Sequence, residues 1–313
     1  MVSMLGGIFL GWSLGANDAS NVFGTAVSSR MLKFETAALL AGTFVVVGAI
    51  VSGQAGIATL KGLTTMQLKQ AVVASVAAAL TVTVMTIAGL PVSTSQAVVG
   101  AILGIGIINQ NINFNGLGKV LACWIGTPIG AAIAAIFLYY GCGWMFNRLR
   151  LNLFESDALL RVLLIAAGSY GAYALGANNV ANVTAVFVGA GAVDVFQASL
   201  IGGFSIALGI VTYSRPVMRT VGRKLVRLDP FSALVAVLGL SVTMHFYTLV
   251  GVPVSSSQAI IGSVLGIGLV KGINTVNRRT LFSILLGWFL TPAVSGLLSI
   301  AIYFLIHLRY IPS

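Results

Sequence analysis

Apolar residues fill most of the chain, in stretches long enough for helices that cross a bilayer. Polar loops and interruptions divide these stretches into one series of elements that occurs twice. The series predicts a glycine-broken first helix, a second helix, a proline-interrupted pair and a final helix, at about 3–29, 35–52, 67–108 and 118–140 and again at about 161–190, 196–213, 231–270 and 280–305. The interrupted pair is either two spans or one re-entrant hairpin.

Both alternatives give each copy an odd number of membrane crossings, so the second copy enters from the opposite side. The predicted fold class is an all-α integral membrane protein, built from two inverted repeats with broken helices and re-entrant helical hairpins. The first repeat covers 1–146, a cytoplasmic connecting loop covers 147–160, and the second repeat covers 161–313. Together they form one membrane domain.

Two pairs of polar motifs interrupt the apolar stretches in nearly the same register. GANDASN begins at Gly15 and GANNVAN begins 161 positions later at Gly176. PVSTSQAVVG begins at Pro91 and PVSSSQAIIG begins 162 positions later at Pro253. Hydrocarbon cannot hydrate a carboxylate or carboxamide, so such segments at membrane depth indicate a cavity lining.

Composition independently indicates a membrane protein. Hydrophobic residues make up 58% of the chain, charged residues make up 7%, and the mean hydropathy is +1.02. Such a chain cannot cover a water-soluble surface, and its natural partner is a lipid bilayer. The net charge of +11 does not indicate a nucleic-acid partner, because the basic residues are scattered through short loops.

The distribution of basic residues orients the chain. Thirteen of the seventeen fall on one face of the predicted topology, and the other face receives Lys61, Lys69, Lys119 and Arg309. The positive-inside rule makes the richer face cytoplasmic and places both termini outside the cytoplasm. We expect a multi-pass protein of the inner (plasma) membrane.

The first motif pair is suited to a hard cation. Gly15 and Gly176 allow the backbone to unwind and release main-chain carbonyls. Carbonyl and carboxylate oxygens come from Asn17, Asp18, Asn21, Asn178, Asn179 and Asn182. The alternative is that the amides only join helices, which the buried charge of Asp18 and the duplication disfavour.

The second motif pair is suited to an anion. Pro91 and Pro253 can end one helix and open the next, whose first turn then offers hydroxyl and backbone N–H groups. The predicted phosphate-binding groups belong to Ser93, Thr94, Ser95, Gln96, Ser255, Ser256, Ser257 and Gln258. The alternative is ordinary helix capping by serine and threonine.

Enzymatic chemistry is not predicted. The sequence offers no plausible constellation of histidine, cysteine or paired carboxylates, and no nucleotide-binding glycine loop followed by lysine. No cofactor is expected.

The four motifs resemble those of the inorganic phosphate transporter family, which contains bacterial low-affinity phosphate permeases and eukaryotic sodium–phosphate symporters. The resemblance extends to Trp124 with Thr127-Pro128 and Trp288 with Thr291-Pro292. It implies a homodimer that imports inorganic phosphate with cations, most often sodium, by alternating access of an elevator-like kind. Transported sodium ions and phosphate would then be the bound species. A proton-coupled phosphate or sulfate permease of the same family, and an anion channel, are the alternatives.

Carried over by position, the resemblance makes Asp18 the family's acidic residue, flanked by Asn17 and Asn21. Asn179 departs from the pattern, because many relatives have aspartate there. Gln96 and Gln258 stand where histidine is common. The second half therefore carries one negative charge fewer, which bears on the number of coupled ions.

Overall fold

The computed structural model describes residues 4–87, 92–224, 228–272 and 278–308. Within that part of the chain the secondary structure is helical, and the helices are α1 (Leu5–Ser28), α2 (Phe34–Ser52), α3 (Gln54–Lys61), α4 (Leu68–Ile87), α5 (Thr94–Asn109), α6 (Phe114–Leu149), α7 (Leu153–Gly189), α8 (Val195–Lys224), α9 (Pro230–Val250), α10 (Ser256–Lys271) and α11 (Arg278–Leu308). The all-α prediction is confirmed. Pro91 and Arg309, which the sequence analysis used, lie outside the described residues.

The predicted breaks in the two first helices are wrong. α1 passes through Gly15 and α7 passes through Gly176 without interruption. Their polar motifs therefore lie on regular helical faces, and the main-chain carbonyls around the two glycines remain within helices. Whatever these motifs bind must be held mainly by side chains.

The two glycines instead allow helices to approach closely. A β-carbon at Gly15 would overlap the carbonyl oxygen of Ile206 in α8, and one at Gly176 would overlap the carbonyl oxygen of Val45 in α2. Gly176 follows Gly15 by 161 positions, and Ile206 follows Val45 by the same number. Equivalent helices of the two halves thus exchange equivalent contacts, as in a two-fold pseudosymmetric pair.

Two connections differ from the predicted bounds. The predicted loop at 147–160 is reduced to residues 150–152, because α6 continues to Leu149 and α7 begins at Leu153. A capping box starts α7: the Glu155 backbone N–H donates to Asn152 Oδ1, and the Asn152 N–H donates to Glu155 Oε2, each at 2.9 Å.

In the first half, Gly53 separates α2 from the short helix α3, whereas α8 is continuous.

The proline-containing segments are helical interruptions, as predicted. α4 ends at Ile87 and α5 begins at Thr94, while α9 ends at Val250 and α10 begins at Ser256. α5 and α10 have 16 residues each. At about 1.5 Å per residue they are shorter than the roughly 30 Å hydrocarbon core.

Seven of the described helices are long and apolar enough to cross a membrane. The outward face of α6 is apolar, as expected of a surface that faces lipid. Its exposed residues recur at helical spacing and include Leu121, Ile125, Ile129 and Phe137. The interior is packed mainly by alanine, valine and isoleucine and surrounds the polar motifs.

Candidate functional site

The amino-terminal ends of α5 and α10 meet in the interior and bind each other's preceding segment. Ser95 Oγ donates to the Val254 carbonyl at 2.8 Å, and Ser257 Oγ donates to the Val92 carbonyl at 2.9 Å. Each partner of the second bond lies 162 positions from its counterpart in the first. The pair of bonds brings two helix N-termini, and therefore two positive dipole ends, to one place.

The motif of α1 contacts both helix ends. Thr94 Oγ1 donates to Asp18 Oδ2 at 2.9 Å, within the first half. Asn21 Nδ2 donates to Ser256 Oγ at 3.0 Å and to Ser257 Oγ at 3.3 Å, in the second half. The only acidic side chain of the four motifs is thus 1% exposed and lies beside the first turn of α5.

The motif of α7 makes the reciprocal contact. Asn182 Nδ2 donates to Ser95 Oγ at 2.9 Å and to Asn179 Oδ1 at 2.8 Å. Asn182 is the counterpart of Asn21, so each half sends an asparagine to a hydroxyl of the other half's helix end. The structure therefore brings all four motifs together, although they are up to 240 positions apart in the chain.

Asn17 and Asn178 have a different environment. Asn17 Nδ2 donates to Thr86 Oγ1 at 2.7 Å, and Asn178 Nδ2 donates to Thr248 Oγ1 at 3.2 Å. Asn178 Oδ1 also accepts from the Val254 backbone N–H at 2.8 Å. These two asparagines join α1 to α4 and α7 to α9, the helices that precede the two serine motifs. Because both the amide nitrogen and the amide oxygen of Asn178 are hydrogen-bonded to the protein, its side chain is suited to positioning α7 against α9.

Ser93 and Ser255 are helix caps. Ser93 Oγ accepts from the Gln96 backbone N–H at 3.3 Å, and Ser255 Oγ accepts from the Gln258 N–H at 3.2 Å. The capping alternative therefore holds for one serine in each motif. The remaining hydroxyls, on Thr94, Ser95, Ser256 and Ser257, lie in the first turns of α5 and α10.

Several buried polar atoms of the site have no hydrogen-bond partner among the described residues. The oxygens are Asp18 Oδ1, Asn182 Oδ1, Gln96 Oε1 and Gln258 Oε1, and the nitrogen is Asn179 Nδ2. All five residues are at most 4% exposed. Because buried polar groups are almost always paired, these atoms are the candidates for contact with a ligand. Unpaired oxygens suit a cation and an unpaired N–H suits an oxyanion.

The sequence analysis missed two groups of site residues. Thr86 and Thr248, which hold Asn17 and Asn178, lie 162 positions apart, so the duplicated register was the signal that could have found them. The carbonyls of Val92 and Val254 carry no side-chain signal and are recognised only from the contacts.

Comparison with known proteins agrees with the motifs. The model of the phosphate transporter family matches residues 14–299, most of the chain. This chain belongs to the phosphate transporter family. It is a multi-pass membrane protein of a family of transporters, and the non-enzymatic assignment agrees with that membership.

Curated relatives match nearly full length. A candidate phosphate permease of Methanocaldococcus jannaschii is 28% identical over 287 residues, which cover 92% of this chain and 91% of the relative. A candidate phosphate permease of Thermococcus kodakarensis is 27% identical and covers 96% of this chain and 95% of the relative. A sulfate permease of Bacillus subtilis is 29% identical, and the matched residues cover 94% of this chain and 84% of the relative.

A solved structure, titled the sodium-dependent phosphate transporter, matches with a TM-score of 0.87. It covers 98% of both chains at 23% sequence identity. At that identity the match establishes the shared fold.

Proposed function

We propose that this protein imports inorganic phosphate together with sodium. The observation that carries the proposal is the set of unpaired buried oxygens beside two converging helix N-termini. One cavity would then hold an oxyanion and cations in contact with each other. The names of the archaeal relatives and of the solved structure agree with this substrate and this coupling ion.

The oxyanion would be held by dipoles. Backbone N–H groups of α5 and α10 and the hydroxyls of Thr94, Ser95, Ser256 and Ser257 lie where the helices meet. The hydroxyls of Thr94, Ser95 and Ser257 donate to protein acceptors in the structure, so they would exchange those bonds to donate to the anion. Asn179 Nδ2 adds a buried donor without a protein partner. No lysine or arginine belongs to the four motifs, so full charges must come from co-bound cations.

The cations would be held by oxygens. Asp18 Oδ1 supplies the charge, and Asn182 Oδ1, Gln96 Oε1 and Gln258 Oε1 supply neutral ligands. Oxygen donors of this kind suit sodium, a hard cation. Phosphate and sodium are transported species here, so no resident cofactor is proposed.

The transmembrane voltage favours coupling of phosphate to more than one sodium ion. Moving a phosphate dianion alone into a negative interior costs about 4.6 kcal/mol at 100 mV, at about 2.3 kcal/mol per charge. Two sodium ions cancel that term and a third makes import electrically favourable. We propose at least two sodium ions per phosphate.

Alternating access is proposed to use the reciprocal arrangement of the halves. If the repeats are inverted in the membrane, an elevator-like movement of the helix ends would exchange the side on which the cavity opens. A homodimer in the inner (plasma) membrane, with both termini outside the cytoplasm, belongs to the same proposal.

Sulfate is the second candidate substrate, since a sulfate permease is among the relatives of similar identity. A proton-coupled permease and an anion channel are distinguished by the same experiment. Purified protein in proteoliposomes is given radiolabelled phosphate, with sodium and proton gradients imposed separately under a potassium–valinomycin potential.

We expect phosphate accumulation that requires the sodium gradient and that excess sulfate inhibits weakly. Accumulation driven by protons without sodium would reject the coupling ion, and preferential sulfate uptake would reject the substrate. If phosphate only equilibrates across the membrane and does not accumulate under either the sodium or the proton gradient, the protein is a channel.

A further inference from the structure

A second cavity lies away from the motif site, among α6, α7 and α9. Its volume is 280 Å³, and its lining includes Cys142 and Phe146 of α6, Leu163 and Tyr170 of α7, and Leu234 and Leu238 of α9. Tyr170 is the residue of this lining with a hydroxyl, and that hydroxyl is hydrogen-bonded to His245 Nδ1 at 2.7 Å. A cavity so poor in polar partners does not favour water and suits an apolar occupant.

The cavity lies close to one end of the helical bundle. Phe146 is three residues before the last residue of α6, and Leu234 is four residues after the first residue of α9. At about 1.5 Å per residue, both are within roughly 6 Å of a helix end. An occupant would therefore have one end near the membrane surface.

Two arginines lie at the same end of α6 as this part of the lining. Arg148 is in the last turn of α6, two positions after Phe146, and Arg150 is the C-cap residue that ends the helix. Both arginines are exposed. The Arg148 guanidinium lies 4.2 Å from the ring centroid of Trp144, a residue type that favours the headgroup region of a bilayer.

Nearby acidic groups already have partners. Asp157 is paired with Arg161 at 3.4 Å, and Glu155 accepts the Asn152 backbone N–H. Asp229 is paired with Lys271. Among the described residues, Arg148 and Arg150 form no ion pair, so their charges are available to an anion at the bilayer surface.

We propose that this cavity binds an acyl chain of an anionic phospholipid whose phosphate is held by Arg148 and Arg150. The apolar lining accepts the hydrocarbon, and the two guanidinium groups accept the headgroup at the helix end. Basic groups beside a cleft between membrane helices select anionic headgroups in this way. The site is independent of the transport site and of the proposed substrate.

The test uses the full-length protein and two lipid probes. Native mass spectrometry counts the phosphatidylglycerol and phosphatidylcholine molecules retained when each is titrated into delipidated protein. We expect phosphatidylglycerol to be retained preferentially. Arg148→Gln with Arg150→Gln should reduce its retention by more than tenfold, at about fivefold for each arginine.

Two variants separate the headgroup from the chain. Lys61→Gln with Lys69→Gln removes two exposed charges from α3 and α4, helices that contribute no residue to the cavity lining, so it is the matched control and should retain the lipid. Ala166→Phe fills the cavity from an exposed position of the lining and should reduce retention of phosphatidylglycerol. Far-UV circular dichroism verifies that each variant is helical.

Four outcomes would overturn the proposal. The first is equal retention of both lipids, and the second is unchanged retention in the Ala166→Phe variant. The third is efficient cross-linking of two chains through Cys142 in a Cys123→Ala background, which would make the cavity an interface between copies. Competition by free glycerol phosphate would instead identify a headgroup site that does not need the cavity, and it too would contradict the proposal.

Discussion

At the scale of single residues, the two halves present opposite chemistry at equivalent positions. Asp18 leaves a carboxylate oxygen unpaired, whereas Asn179, 161 positions later, leaves an amide N–H unpaired. One half therefore offers a cation ligand where the other offers an oxyanion donor. This difference polarises a site that both halves build from equivalent motifs.

Replacing Asp18 by asparagine tests the cation side of the site. We expect the sodium concentration for half-maximal phosphate uptake to rise at least tenfold in Asp18→Asn, because contacts to a charged group are worth about 1.5–3 kcal/mol. Sodium titration of uptake in proteoliposomes measures it. By contrast, Thr94→Val and Ser256→Ala should raise the phosphate concentration for half-maximal uptake more than they raise the sodium concentration.

The matched control is Asp157→Asn, which removes an exposed carboxylate paired with Arg161 and should leave the sodium titration unchanged. Wild-type sodium dependence in folded Asp18→Asn protein would remove Asp18 from the cation site.

At the scale of helices, glycine determines how closely the two halves approach. The contacts of Gly15 with α8 and of Gly176 with α2 leave no room for a β-carbon. In a membrane, where lipid is as apolar as a leucine side chain, such close backbone packing is a main source of helix association.

Gly15→Ala is therefore expected to destabilise the fold by about 1–3 kcal/mol or more, the usual cost of overpacking. Gly130→Ala is the matched control, since Gly130 is also helical but has no neighbouring atom within 4 Å of the added carbon. Gly130→Ala should leave the free energy of unfolding unchanged or raise it slightly. Thermal unfolding in detergent compares the two, and equal melting temperatures would contradict the close packing.

A polar clamp joins the start of α9 to the end of α10. Asp229 Oδ1 accepts the Ser232 backbone N–H at 2.9 Å, and Oδ2 is paired with Lys271 Nζ. Burial raises the pKa of the Asp229 carboxyl, but hydrogen bonds from Lys271 and Ser232 outweigh it and leave the pKa below its ordinary value. The clamp therefore stabilises the fold above about pH 4 and weakens as the pH falls through the lowered pKa.

Asp229→Asn retains a capping side chain and loses the ion pair, so we expect a cost below about 1 kcal/mol at pH 7. Asp229→Ala loses both and should cost about 1–2 kcal/mol. Melting temperatures from pH 7 to pH 3 measure the differences. The gap between wild type and Asp229→Asn should narrow on acidification, and a gap independent of pH would show that the ion pair contributes nothing.

At the scale of the whole molecule, the reciprocal contacts join two copies of one unit, and the positive-inside rule predicts how these copies are oriented in the membrane. Gln54 and Arg215 occupy equivalent positions, 161 residues apart. If the repeats are inverted, these positions face opposite sides of the membrane.

Asn115 and Asn147 lie near the two ends of α6, which at 36 residues is about 54 Å long and exceeds the roughly 30 Å hydrocarbon core.

Cysteine labelling in a Cys123→Ala/Cys142→Ala background tests this topology. We expect Asn147→Cys and Arg215→Cys to react only from the cytoplasm, and Gln54→Cys and Asn115→Cys only from outside, in line with the positive-inside rule. An impermeant maleimide applied to right-side-out and inside-out vesicles separates the sides. Labelling of Gln54→Cys and Arg215→Cys from the same side would exclude inverted repeats.

The sequence by itself determined the membrane class, the duplication and the helix starts at the serine motifs. These follow from local chemistry: a chain with 58% hydrophobic residues needs lipid, and a serine followed by a free N–H caps a helix wherever it occurs. It also identified the polar residues that meet in the interior, because a buried carboxylate or amide requires partners.

Only the tertiary structure decided what the glycine motifs do and which polar atoms are left unpaired. Glycine permits both an unwound helix and a close helix contact, and Ile206, 191 positions from Gly15, selects the second. Likewise, Asn179 Oδ1 accepts from Asn182 Nδ2, while Asn179 Nδ2 meets no acceptor among the described residues. Such pairings depend on which helices pack together, which hydrophobic periodicity along one segment does not specify.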